Sequence, residues 1–327
     1  MEGGNVFSEY RLRDADTARD AQIATGVRNA WHVWPGLTLT TGVERLQLLA
    51  GDGQTATAVT LGADYTASAL WKGSARLEWR RLDAPPASAT VPVGPVADGT
   101  VPLGEQDTVL MTLAAARKLD RDWTLLGRNY LLRTDNHGVR ANGWQDRFQI
   151  GTAYRPVDDG RLDVLSKYEY KTENNIDGDD AFRRVHVASV QASLHPTRPW
   201  WWSARFAAKS VVERFPDDEG GTRDAYRAAL VSGRVVYDLT ENWDVGAMGS
   251  VMASGTGVAR QYAKGLEVGY LLRENLWLSV GYNATGFSDV DLSSDYTARG
   301  VYLRLRFKFD KDVFSGSDKS VNRALDR

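Results

Sequence analysis

The sequence predicts an all-β chain: one antiparallel, membrane-spanning, up-and-down β-barrel of about 16 strands. Three observations predict it. Seven short connections rich in Pro, Gly, Asp and Asn alternate along the 327 residues with eight longer polar segments. The runs between them alternate apolar and polar side chains, as a strand with one greasy and one wet face requires. Each run is long enough to cross a bilayer, which takes about 9–11 tilted residues, whereas ordinary strands average about 5–6.

Taken in order, the short connections fall at residues 34–36, 70–73, 120–123, 155–160, 195–200, 240–243 and 273–277. The longer ones fall at 14–19, 51–54, 84–106, 134–142, 172–180, 216–223, 253–258 and 287–296. With both termini on the short-turn side, this arithmetic gives an even number of strands. Leu77 and Trp79 oppose Arg76, Glu78 and Arg80. Leu162, Val164, Tyr168 and Tyr170 oppose Arg161, Asp163, Lys167, Glu169 and Lys171. Trp202, Ala204 and Phe206 oppose Ser203, Arg205 and Lys209, and Leu278, Val280 and Tyr282 oppose Trp277, Ser279, Gly281 and Asn283. The last strand is the clearest: Val301, Leu303, Leu305, Phe307 and Phe309 on one face, Tyr302, Arg304, Arg306 and Lys308 on the other.

Five of the ten prolines, Pro85, Pro86, Pro92, Pro95 and Pro102, crowd the longest segment. Proline cannot donate to a ladder, so this stretch reads as loop, and it is the one loop long enough to fold into a lumen. A soluble sandwich would bury the greasy faces against a second sheet. A propeller also fits the roughly 40-residue spacing, but it needs four short strands per repeat where two long ones are found.

Composition narrows the function classes. A formal net charge of −2 gives no footprint for nucleic acid. The absence of cysteine removes disulfides and thiol chemistry, and it suits a chain that crosses an oxidising compartment unfolded. No run of about 18 apolar residues is present, so no transmembrane helix is expected. The mean hydropathy of −0.39 agrees with strands that are half polar. The first residues lack a charged region followed by an apolar core, so a signal peptide is not expected within them.

Tryptophan recurs at the short turns. Trp34, Trp71, Trp123, Trp200, Trp243 and Trp277 are expected to form an interfacial girdle at headgroup level. The four histidines are scattered and lack paired spacing, so no metal or other cofactor is expected. His186 and Ser189, three apart on a strand, fall on opposite faces, which argues against a hydrolase. The segment from Asn175 to Asp180 has the start of a calcium loop, but Arg184 stands where the bidentate acid belongs.

The run from Gly300 through Phe309, a glycine followed by alternating hydrophobics and an aromatic end, resembles the terminal strand of bacterial outer-membrane β-barrels. With residues 275–287, Asp289 and Asp291, it is similar to the C-terminal ends of large proteobacterial surface proteins that carry repeat or Ig-like domains upstream. The resemblance implies residues 1–309 as an outer-membrane barrel and 310–327 as a polar periplasmic tail. It implies barrel-assembly machinery, membrane lipid and lipopolysaccharide as partners, and upstream domains or envelope proteins beyond those. The function it implies is a membrane anchor or translocator rather than an enzyme.

The alternative is a free-standing porin-like channel with a weak anion preference. The inward set read from alternation contains Arg28, Arg76, Arg80, Arg128, Arg147, Arg161, Lys167, Lys171, Arg205, Lys209, Arg234, Arg304, Arg306 and Lys308. Against these stand Asp64, Glu78, Asp163, Glu169, Asp238, Asp244 and Glu267. Such groups call for a hydrated lumen, because burying them dry and unpaired is costly.

Overall fold

The computed structural model describes residues 4–15, 18–48, 55–83, 90–92, 100–102, 105–137, 142–175, 181–215, 222–255, 259–273, 276–287, 289, 291–292 and 299–307. Sixteen strands form one antiparallel sheet in up-and-down order: β1 (Asn5–Ala15), β2 (Ala18–Trp34), β3 (Leu37–Leu48), β4 (Thr55–Tyr65), β5 (Trp71–Leu82), β8 (Glu105–Lys118), β9 (Trp123–His137), β10 (Gly143–Tyr154), β11 (Leu162–Asn174), β12 (Phe182–Leu194), β13 (Trp200–Phe215), β14 (Thr222–Asp238), β15 (Trp243–Ser254), β16 (Ala259–Arg273), β17 (Leu276–Thr285) and β18 (Gly300–Phe307). Between β5 and β8 a separate two-stranded ribbon pairs β6 (Thr90–Pro92) with β7 (Thr100–Pro102). A single sheet of this size is neither a sandwich nor a propeller.

All seven short connections separate strands where the turn chemistry places them. Pro35-Gly36 joins β2 to β3, with Gly36 at φ +83°, a conformation that glycine adopts without a steric penalty. Three other turns share one device, a polar side chain that accepts from backbone N–H groups two and three residues on. Asp120 accepts from Asp122 and Trp123 at 2.8 and 2.7 Å, Ser68 from Leu70 and Trp71, and Thr240 from Asn242 and Trp243. In each case the residue three after the acceptor is a tryptophan that opens the next strand. That tryptophan then meets the cross-strand residue at the same end: Trp123 on Tyr154 at 4.8 Å and Trp243 on Tyr270 at 4.6 Å, with Trp200 on Tyr237 at 4.7 Å in the His195-to-Pro199 turn.

Two loop expectations are corrected. Residues 14–19 are mostly strand: Asp14 pairs with Arg19 and Ala15 with Ala18, so β1 and β2 extend as one hairpin. The Ala84-to-Gln106 stretch is not wholly loop either. Its prolines at 92 and 102 end β6 and β7, where a missing N–H interrupts no interior ladder bond.

The curvature is read from side chains on strands two apart, which meet only on a concave face. Arg234 of β14 reaches Glu267 of β16, Asp244 of β15 bonds Trp277 of β17, and Glu267 bonds Tyr302 of β18. The convex face is apolar and bare: Phe206 is 52% exposed, Leu266 67% and Leu303 69%. Val43, Leu61, Leu77, Phe148, Ile150, Val190 and Val231 continue this belt across the sheet. Apolar surface on that scale needs a cover, and lipid is the cover that suits a continuous outward belt. Cysteines at Leu303 and Phe206 are therefore expected to react with a lipid-phase probe. Those at Arg304 and Arg205 are expected to react only with a water-soluble reagent, and equal reaction of both sets with the water-soluble one would contradict this orientation.

Candidate functional site

The concave face is the site. On β5, Arg76 and Arg80 flank Glu78 at 3.2 and 2.9 Å, while Arg76 stays 55% exposed. On β11, Lys167 holds the other side of the buried Glu169 at 2.8 Å, and Arg147 of β10 reaches it at 2.5 Å. These predicted residues, with Asp163, lie on the same side as Asp64, Arg128 and Arg205 by register. Arg161 differs: it stands in the turn before β11, well exposed, with Asp159 at 3.4 Å. Lys308 lies outside the described residues.

From β14 to β18 the interior is filled in layers. Nearest the short turns, Trp277 donates its indole N–H to Asp244 at 3.0 Å and lies under the Arg306 guanidinium. Trp277 is thus an inward residue, which corrects its place in the expected girdle. The turn pattern pointed one way and strand alternation the other, and the partner Asp244 decided for alternation. Trp34, Trp71, Trp123, Trp200 and Trp243 are exposed on the convex face.

In the next layer Glu267, only 2% exposed, is shared by Arg234, the Tyr302 hydroxyl at 3.0 Å and, at 3.9 Å, Arg304. Glycine makes the room. A Cβ on Gly281 would lie 2.2 Å from Cζ of Tyr302, and one on Gly246 would lie 2.8 Å from Cγ of Glu267. Gly281→Ala is accordingly expected to push the Tyr302 ring off Glu267 and cost about 1–3 kcal/mol, measured by urea unfolding in lipid; an unchanged midpoint would show that the ring moves freely.

The layer nearest the longer loops was not anticipated. The described residues of the connection between β17 and β18 fold inward, while most of the proline-rich connection lies outside the described residues. Leu292 is fully buried against Val185, Val187, Ala207, Val211, Ala228, Leu230 and Met252, with Phe287 packed alongside. Two aspartates clamp it to the wall. Asp291, 1% exposed, meets Lys171 and Arg183 at 2.8 Å each and Lys209 at 3.3 Å; Asp289 meets Lys209 at 2.6 Å. Burial pushes the Asp291 carboxyl up, but Lys171, Arg183 and Lys209 outweigh it and hold the group down at about 2. Asp289 also accepts from the N–H groups of Asp291 and Leu292, which fixes the tip. The sequence signal was present in the spacing Asp289-x-Asp291-Leu292, opposite a wall whose inward positions are Val, Ala and Lys.

The register also changes the charge balance. Glu9, Glu44, Glu173 and Glu213 join the inner face, and Asp289 and Asp291 arrive with the loop. Arg183, Lys72 and Lys118 join it as well, so among the described residues the basic surplus read from alternation narrows and survives locally. His186 points to the convex face beside Tyr168, whose hydroxyl is 2.8 Å from it, while Ser189 points inward.

No protein-family pattern and no curated protein matches the chain at the level of sequence. Among solved structures, the chain is similar to the copper transporter OprC, with a TM-score of 0.58 at 13% identity over 94% of this chain and 61% of that one. It is similar to the ferric citrate transporter FecA in its unliganded form, with a TM-score of 0.52 at 12% identity over 93% and 54%. A mutant porin from Rh. blastica is covered over 98% of its length at 12% identity, with a TM-score of 0.36. The chain spans less than two thirds of the length of both transporters. Its fold is that of outer-membrane β-barrel proteins.

Proposed function

We propose that this chain resides in a bacterial outer membrane and encloses a water-filled, porin-like passage with a weak anion preference, narrowed by the β17–β18 loop. The observation that carries the reading is the asymmetry of the interior. Along β5–β11 the basic side chains reach solvent, with Arg76 and Arg147 exposed and Arg80 and Lys167 half-buried over Glu78 and Glu169. On the β11–β18 side the loop and the layers beneath it take up the space. Lipid and lipopolysaccharide cover the apolar belt on this reading, and barrel-assembly machinery recognises β18. The short turns face the periplasm and the longer loops the outside, as in such barrels generally.

A second reading, an anchor or translocator for a larger surface protein, is favoured by the strength of the Asp289/Asp291 clamp, since a barrel that only holds a passenger benefits from a fixed internal segment. Planar-bilayer recording separates the two. Steps with a modest preference for chloride over potassium, reversed by Arg304→Glu with Arg205→Glu, are expected for the channel. Silence of the wild type, persisting in the Asp289→Ala/Asp291→Ala double variant, would reject the channel and leave the anchor.

A further inference from the structure

Beneath Phe287 the β12–β18 wall encloses a cavity of about 280 Å³. Its lining follows the register. Gln191, Arg205, Ser232 and Ser250 form one row across four strands, and Ser193, Ser203 and Arg234 begin the next. Arg304 lines it from β18 and Trp201 from the short-turn end of β13. No carboxylate lines it.

Its donors outnumber its acceptors. Arg205 has no ion-pair partner among the described residues, although it sits at the centre of the first row. Arg234 spends one terminal nitrogen on Glu267, but its Nε is buried without an acceptor. Arg304 reaches that same carboxylate only at 3.9 Å. A buried guanidinium N–H without an acceptor is costly, and native interiors normally supply one. What fits three guanidinium groups and Lys264 among serine hydroxyls and two amides, Gln191 and Asn283, is an oxyanion, which takes paired N–H bonds from an arginine fork.

We infer that this cavity is a binding site for a small oxyanion, a carboxylate or phosphate, with Arg205 as its principal ligand and Arg234 and Arg304 completing the positive cradle. The inference rests on the channel reading, since it places a stopping point for a solute inside the passage, at the level where the local basic surplus survives. Trp201 lies in the lining and reports occupancy without any need for conductance.

The test uses the full chain folded in detergent. Tryptophan emission is followed during titration with inorganic phosphate and, separately, with malonate, each against sodium chloride at constant ionic strength. A saturable change with either oxyanion, absent with chloride and lost in Trp201→Phe, is expected. Arg205→Gln should raise the half-saturating concentration at least tenfold, and Arg205→Lys, which keeps the charge and the fold but not the fork, should give an intermediate value. A linear response, or a half-saturation unchanged in both Arg205 variants, overturns the site. Saturable binding by a barrel that is silent in a bilayer would uphold the site and reject the channel. Conductance without saturable binding would do the reverse.

Discussion

Glu267→Ala is expected to destabilise the barrel by about 3–5 kcal/mol, because it leaves Arg234, Arg304 and Arg306 facing one another around an empty position. The carboxylate is almost wholly enclosed, so water reaches the vacated space poorly and screens the guanidinium groups weakly. Asp244, the other acid in this part of the wall, gives one oxygen to the Trp277 indole and faces Arg306, so it offsets only part of the freed positive charge. Glu267→Gln keeps an acceptor for Arg234 and Tyr302 and is expected to cost about half as much. Urea unfolding in lipid vesicles measures both. A loss under about 1 kcal/mol for the alanine variant would mean that the cluster is hydrated and that the layer does not close this side of the barrel.

Asp291→Ala should act locally. It leaves Lys171, Arg183 and Lys209 sharing only Asp289 and neighbouring acids, and removing one partner of a buried ion pair costs about 3–5 kcal/mol. The sheet does not depend on the loop, so the cost is expected as release of Phe287 and Leu292 from the wall rather than as loss of strands. Protease cleavage between β17 and β18 should become rapid while the β-sheet circular dichroism is retained, and single-channel conductance should rise. Intact resistance to protease would show that Leu292 alone holds the loop.

The pH dependence follows from the same carboxyl. Its folded value, about 2, is below the unfolded value of about 3.9, so its contribution is full above pH ~3.9 and is lost as pH falls toward 2. The shift corresponds to roughly 2–3 kcal/mol. The wild-type loop should therefore remain protease-resistant at pH 5 and become sensitive near pH 2.

Much of the architecture was legible because a barrel wall imposes a strict period of two. A residue in β5 or β13 has only two directions, and the charged or apolar nature of Arg76, Leu77, Arg205 and Phe206 declares which one. Turn chemistry was equally local: Asp120 and Thr240 fix backbone groups two or three residues away, so their effect is visible in four letters of sequence. Trp277 marks the limit of such reasoning, since two local rules disagreed there.

By itself the sequence determined the strand number, the seven short turns, the two faces and the last strand, because each depends on neighbours in the chain. Only the tertiary structure decided that the β17–β18 connection folds inward, which acids join the inner face, and that Arg205 is left without an ion-pair partner among the described residues. Those depend on residues far apart in sequence, Asp291 with Lys171 or Glu267 with Arg234, brought together by the curvature of the sheet. No period in the chain encodes that meeting. It follows from the bend of sixteen strands, which places second-neighbour side chains within reach on one face and separates them on the other.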